Sequence, residues 1–401
     1  MKKIAEINRM TWLSALMMAF VVLSCGTIKE TYDEFTLEGE TIYIGKADSV
    51  MVGEGYNKLR FWVAVNADPK ITKGILKNND ESIFYEFEVN RSKSGKDTIS
   101  FDLEIDEGEY TFGLFLMDDK GNQSVRVEVP ATVYGEKYKS GLINRAIRNV
   151  DAFENEAVLY WASPSESILE TVLIYEDQDG NMQEMLIANE VTESTLENYK
   201  RGGALRVKSI YRPTPTAFED FEANPFVSTL PEEYILDKSS ISVLRLAGDA
   251  SDGCYGSTYE RLFDGTVSTG FWHSCSTPSD LYPWVMSFDL GSAQSVTKFG
   301  LDERQGCCGE RSPGEYQIWA TNDLGNATTS DIDEVSLEEW EAEATSKGWV
   351  KILDVTNNTQ KSFQQSIQET ETKYRYVRLV GISSIGGGSE ANFNELTFWG
   401  K

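Results

Sequence analysis

The chain has 401 residues, 40% of them hydrophobic, with 18 Tyr, 19 Phe and 9 Trp and a formal net charge of −27. That length predicts about two to four domains rather than one core, and the apolar content excludes a disordered polymer. The acidic balance, with Lys and Arg scattered among Asp and Glu and no basic patch, excludes nucleic acid and anionic surfaces as partners and suits a neutral partner such as a sugar polymer.

Residues 1–25 read as an export signal. Lys2 and Lys3 supply a positive start, and Met10 to Leu23 is apolar and uncharged but short of the roughly 20 residues that span a bilayer. It ends in Val22-Leu23-Ser24-Cys25, which resembles the lipobox of bacterial lipoproteins. The resemblance implies that Cys25 is acylated, for example with palmitate, and that the mature chain is lipid-anchored at the outer membrane, facing the cell surface. Residues 26–34 read as a polar tether.

From 35 to 135 the chain reads as an antiparallel β-sandwich. KLRFWVAV (58–65), SIFYEFEV (82–89), DTISFDLEI (97–105) and YTFGLFLMD (110–118) alternate apolar and polar residues between turns. A second sandwich is predicted over 136–228, with strands AVLYWAS (157–163), ETVLIYED (170–177), NMQEMLIA (181–188) and Arg206 to Tyr211, and a hairpin turn at Asp179-Gly180. Both resemble fibronectin-III or immunoglobulin-like spacers. Residues 30–225 together resemble an uncharacterised paired module of Bacteroidota lipoproteins, the likeness being carried by GETIYIGKADSV (39–50). Thr214, Pro215 and an acidic run lead into a predicted linker at 229–238.

The C-terminal domain, 239–401, is a third predicted sandwich. WVMSFDLG (284–291) puts Trp284, Met286, Phe288 and Leu290 on one face at period two. Ser336 with Glu339 has the capping-box pattern of one surface helix ending near Lys347. The fold class is therefore all-β. Cys254, Cys275, Cys307 and Cys308 all lie in this region; an even number in an exported chain predicts two disulfides, and no zinc-type C-x-x-C spacing exists. A vicinal bond strains the intervening peptide, so Cys307 and Cys308 are expected to pair separately with Cys254 and Cys275.

LFDGTVSTGFWHS (262–274), the strand end FDLG (288–291), DERQG (302–306), GEYQIWATND (314–323) and the closing ELTFWG (395–400) occur in an order that resembles the discoidin, or coagulation factor 5/8 type C, family, nearest to carbohydrate-binding module family 32. The resemblance implies two sites. Asp264, Thr269 and Glu395 match positions that hold a structural calcium ion, and carboxylates with a hydroxyl and loop carbonyls suit a hard cation; Thr266 and the extra Gly270 depart from that pattern. The sugar site it implies uses His273, the only histidine in the chain, with Arg304 and Glu310, and Phe271, Tyr282 or Tyr255 as the stacking ring. Glu390 occupies the position where relatives often place a Tyr, and Trp272 is expected in the core.

The function this implies is non-enzymatic capture of glycans with galactose-like units at the cell surface, alongside other surface glycan-utilisation proteins. One histidine leaves no Ser-His-Asp arrangement, and three sandwiches leave no domain of catalytic size. An adhesin for host or matrix protein is the alternative, and an accessory part of a glycoside hydrolase a lesser one.

Overall fold

A computed structural model describes residues 43–268, 270–368 and 371–401. The predicted export signal, Cys25 and the predicted tether lie outside the described residues. Among the described residues, no helix is long and apolar enough to cross a membrane. The secondary structure is almost entirely antiparallel β, in two compact units: residues up to Gly141 with Arg212–Asp220, and Leu142–Tyr211 with Phe221–Lys401.

The first unit is a sandwich of a three-stranded sheet, in the order Ser49–Gly55, Lys58–Val65, Asp97–Glu104, and a four-stranded sheet, in the order Phe84–Glu88, Ile71–Asn78, Gly108–Asp118, Val127–Val133. Alternation decides its faces. Leu59, Phe61, Val63 and Val65 are wholly buried while Lys58, Arg60, Trp62 and Ala64 stay half-exposed. Phe61 stacks on Phe101 and meets Phe112 edge-on at 5.9 Å, joining the two sheets through aromatic rings. The stretch 212–220 is not part of the second sandwich, to which the predicted range 136–228 assigns it. It belongs to this unit, with the Thr214 hydroxyl donating to Glu54 and Phe218 lying 4.5 Å from the Arg60 guanidinium.

The second unit begins with a sandwich whose sheets run Glu193–Glu197, Glu156–Trp161, Ile147–Ala152 and Met182–Ile187, Ile168–Glu176, Ala204–Tyr211, the last strand pairing further with Phe221–Glu222 and Phe226–Thr229. The Asp179-Gly180 turn forms as predicted: Gly180 has φ +83°, where a Cβ is unfavourable, and Glu176 pairs with Met182. The predicted linker is not a linker. Leu230, Tyr234 and Leu236 are buried, Tyr234–Ile235 pairs with Trp399 and Gly400, and the Leu236 N–H donates to Phe398 O. Its apolar residues find a sheet edge to complete, and one continuous core runs from Ala152 through Tyr234 to Phe398.

The C-terminal sandwich packs a sheet in the order Tyr234–Ile235, Glu395–Gly400, Val296–Asp302, Phe363–Ser366 against one in the order Ser242–Val243, Trp284–Gln294, Tyr374–Ser384, Pro313–Thr321, Val350–Val355. Trp284, Met286, Phe288 and Leu290 point into the core as their spacing predicts. Val285 and Ser287, on the other face, are buried too. The helix Leu337–Ser346 and its flanking loops cover that face with a second apolar layer of Val285, Trp319, Trp340, Trp349 and Val380. The predicted capping box is present: the Glu339 N–H donates to Ser336 Oγ, and the Ser336 N–H donates to the Glu339 carboxylate at 3.0 Å. Arg378 is enclosed here, donating to Ser287 Oγ and Thr329 Oγ1, with its guanidinium 4.4 Å from the Trp349 ring and 3.9 Å from Asp249. Burial drives both members of this pair toward neutrality, Asp249 up to about 6 and Arg378 down to about 10.

Candidate binding face of the C-terminal domain

The short strand Trp272–His273 pairs with Asn392–Phe393 at one end of the sandwich. Alternation sends Trp272 inward, against Trp284 and Phe393 at 5.6 and 5.5 Å, and its indole N–H donates to Ser251 O. His273 falls on the other side and is only 5% exposed. Its Nδ1 lies 2.7 Å from Ser274 O; a carbonyl only accepts, so Nδ1 carries the proton and Nε2 is an acceptor. Arg311 Nη1 donates to that Nε2 at 2.8 Å, and the same nitrogen lies 2.7 Å from a Glu390 carboxylate oxygen. Tyr255 stands edge-on to the imidazole at 4.8 Å and is 77% exposed, with its backbone at φ +60°. A buried imidazole thus aims a guanidinium at a carboxylate, both about one-third exposed, next to an open aromatic ring.

The surroundings hold these groups in place. The Tyr282 hydroxyl donates to Arg311 O, and the Tyr282 N–H donates to Ser389 O, so Tyr282 ties the two loops together rather than offering its ring. Asp280, fully buried, accepts from the Ser251 N–H and hydroxyl and the Cys275 N–H. Gly386 donates its N–H to Glu310 O, and a Cβ there would stand 3.0 Å from that of Glu310; the close approach of turn and loop needs glycine.

His273 hydrogen-bonds Arg311, while the Arg304 guanidinium lies 3.8 Å over the ring of Phe271, so two further residues of the expected site meet each other. Arg311 and Glu390, with Glu310 exposed on the turn beside Arg311, make the charged part of the face. A signal for this existed: Arg311 is the only basic residue between Arg304 and Lys347, and the unexpected carboxylate at Glu390 is of the sign to pair with it. The disulfides also differ from expectation. Cys254 bonds to Cys275, and Cys307 to Cys308. The Cys254 N–H donates to His273 O, bringing the Cys254 and Cys275 Cα atoms to 5.1 Å and using up both of the partners foreseen for the vicinal pair. Cys308 takes φ +63° in the turn that precedes Arg311.

Of the residues expected to hold a cation, Thr269 lies outside the described residues. Asp264 closes the turn Tyr259–Phe263 and is exposed, its Oδ1 accepting from the Thr266 N–H and hydroxyl at 2.9 and 2.8 Å. Glu395 is 2% exposed; its Oε1 accepts from Lys238 Nζ at 2.5 Å and from the Gly265 N–H at 3.1 Å. Burial pushes the Glu395 carboxyl up, and the Lys238 ammonium opposes that rise. Among the described residues no three His, Cys, Asp or Glu side chains converge as a metal site. One Glu395 oxygen thus carries an ammonium, while Oε2 of the same carboxylate is buried with no hydrogen-bond partner.

Residues 247–396 match the family model of the F5/8 type C domain. The C-terminal domain is an F5/8 type C domain. Residues 25–221 match a second model, a domain of unknown function designated DUF4998. No curated protein shows significant similarity to the chain. Solved structures similar to it include a SusE-like protein, at 18% identity over 63% of this chain and 96% of that one, TM-score 0.35. They also include the family 32 carbohydrate-binding module of C. perfringens NanJ in complex with galactose, at 16% identity over 42% and 98%, TM-score 0.31. A third is the C-terminal domain of a chitobiase from Bacteroides fragilis, at 20% identity over 42% and 97%, TM-score 0.30.

Proposed function

We propose that this protein captures glycans at the bacterial surface, held there by a lipid on Cys25, and that its F5/8 type C domain binds terminal galactose-like units. The observation that carries the reading is the juxtaposition of Arg311, Glu390 and Tyr255 over His273. A sugar presents pairs of hydroxyls on one edge and an apolar ring face on the other. A guanidinium fork donates to such a pair, a carboxylate accepts from it, and an exposed ring covers the C–H face. His273 acts here as a positioning residue, since its Nε2 is already engaged. The net charge of −27 favours neutral glycans over sialylated or sulfated ones. The reading is one of binding, because the groups of this cluster present hydrogen-bond donors, acceptors and a ring face as a sugar site does.

A glycan array probed with residues 26–401, followed by calorimetry, tests it. Binding in the micromolar to millimolar range, about 4 to 8 kcal/mol, is expected for galactosides. Arg311→Ala should abolish it and Tyr255→Ala should weaken it by roughly tenfold, as loss of one stacking face implies. A silent array combined with capture of matrix protein would favour the adhesin reading instead.

A further inference from the structure

We infer that Lys238 is a built-in cation that replaces the structural metal of this domain, so that the fold of the C-terminal sandwich is independent of calcium. The argument begins with how Lys238 is presented. Leu236 is tied by its N–H to Phe398 O, and Asp237 then caps the turn Lys238–Ser240, accepting from the Ser239 N–H at 2.9 Å and from the Ser239 and Ser240 hydroxyls. The turn leaves the lysine backbone little freedom, and its side chain, 21% exposed, runs to the buried Glu395 carboxylate at 2.5 Å. Asp302 is the cross-strand partner of Glu395 and lies within reach of the same positive charge. The Gly265 N–H, from the loop that would carry the metal, donates to the very oxygen that Lys238 engages. The loop, the last strand and the segment entering the domain are therefore gathered onto one carboxylate.

A calcium ion would need six or more oxygens at 2.3–2.6 Å around the same point. Here Oε1 of Glu395 is already shared by two donors and Asp264 spends its Oδ1 on Thr266, so that Glu395 Oε2, buried with no hydrogen-bond partner, is the carboxylate oxygen left beside the ammonium. A tethered ammonium does the same bridging with one charge and no dependence on free ion concentration. Asp237 and Lys238 follow directly on Tyr234–Ile235, which pairs with the strand Glu395–Gly400, so the clamp forms only when that segment is docked.

Thermal unfolding of residues 26–401 with excess chelator and with millimolar calcium decides the point. The expected result is the same Tm in both, and no heat of calcium binding in calorimetry. Lys238→Met should lower the Tm in chelator by several degrees, because it strands a buried carboxylate. The double variant Lys238→Met with Glu395→Gln should recover most of that loss, separating charge balance from mere packing. A wild-type Tm that rises with calcium and falls with chelator would overturn the inference, as would a Lys238→Met variant as stable as wild type. Neither outcome bears on glycan binding, which the array reads separately.

Discussion

His273 illustrates how a single residue's role depends on which of its atoms are free. Its ring is buried and both nitrogens are engaged, so it sets the position of Arg311 and does not meet ligand directly. His273→Ala should therefore weaken galactoside binding less than Arg311→Ala, and His273→Gln, which can keep an acceptor near Arg311, should restore part of the loss; titration calorimetry of the three variants is the measurement. At Asp249 and Arg378 both partners are pushed toward their neutral forms by burial, so their attraction does not offset the loss of hydration. Removing one partner is another matter. Asp249→Asn should cost about 3 kcal/mol in urea unfolding because it leaves a buried guanidinium uncompensated, and adding Arg378→Met should return much of it.

At the level of elements, the rim of the binding face is held by a covalent link between the Cys254 turn and the strand carrying His273. The Cys254–Cys275 bond closes a loop of 21 residues, for which chain entropy gives about 3 kcal/mol. A Cys254→Ser, Cys275→Ser variant should unfold at correspondingly lower denaturant, and should also bind galactosides more weakly, since Tyr255 follows Cys254 directly. The helix Leu337–Ser346 offers a smaller test. Ser336→Ala removes the acceptor for the Glu339 N–H and should cost roughly 1 kcal/mol, visible as a small fall in Tm with no change in binding. Most strands were legible because alternation carries their identity: Lys58–Val65 occupies the same residues predicted from its pattern. The segment 229–238 was not legible, because Leu230, Tyr234 and Leu236 read as scattered apolar residues until a distant strand at Glu395–Gly400 supplies the edge they complete.

Across the whole molecule, the reading is of an acidic chain tethered at one end with its binding face in the last domain. Cys25→Ser should abolish metabolic palmitate labelling and release the protein from membranes, while purified Cys25→Ser protein keeps its affinity for galactosides. Length, charge, alternation and the ordered motifs of the F5/8 type C domain are properties of local sequence, and from them alone follows an all-β, multidomain chain. Local sequence also marks His273 and the acidic Glu390. Partnerships are different, since they join residues far apart along the chain whose meeting depends on the packing of loops. Arg311 with His273 spans 38 positions and Lys238 with Glu395 spans 157, and the preference of Cys254 for Cys275 rests on the backbone hydrogen bond from the Cys254 N–H to His273 O. Only the tertiary structure decided these, because nothing in the periodicity of a strand states which charge its buried carboxylate will face.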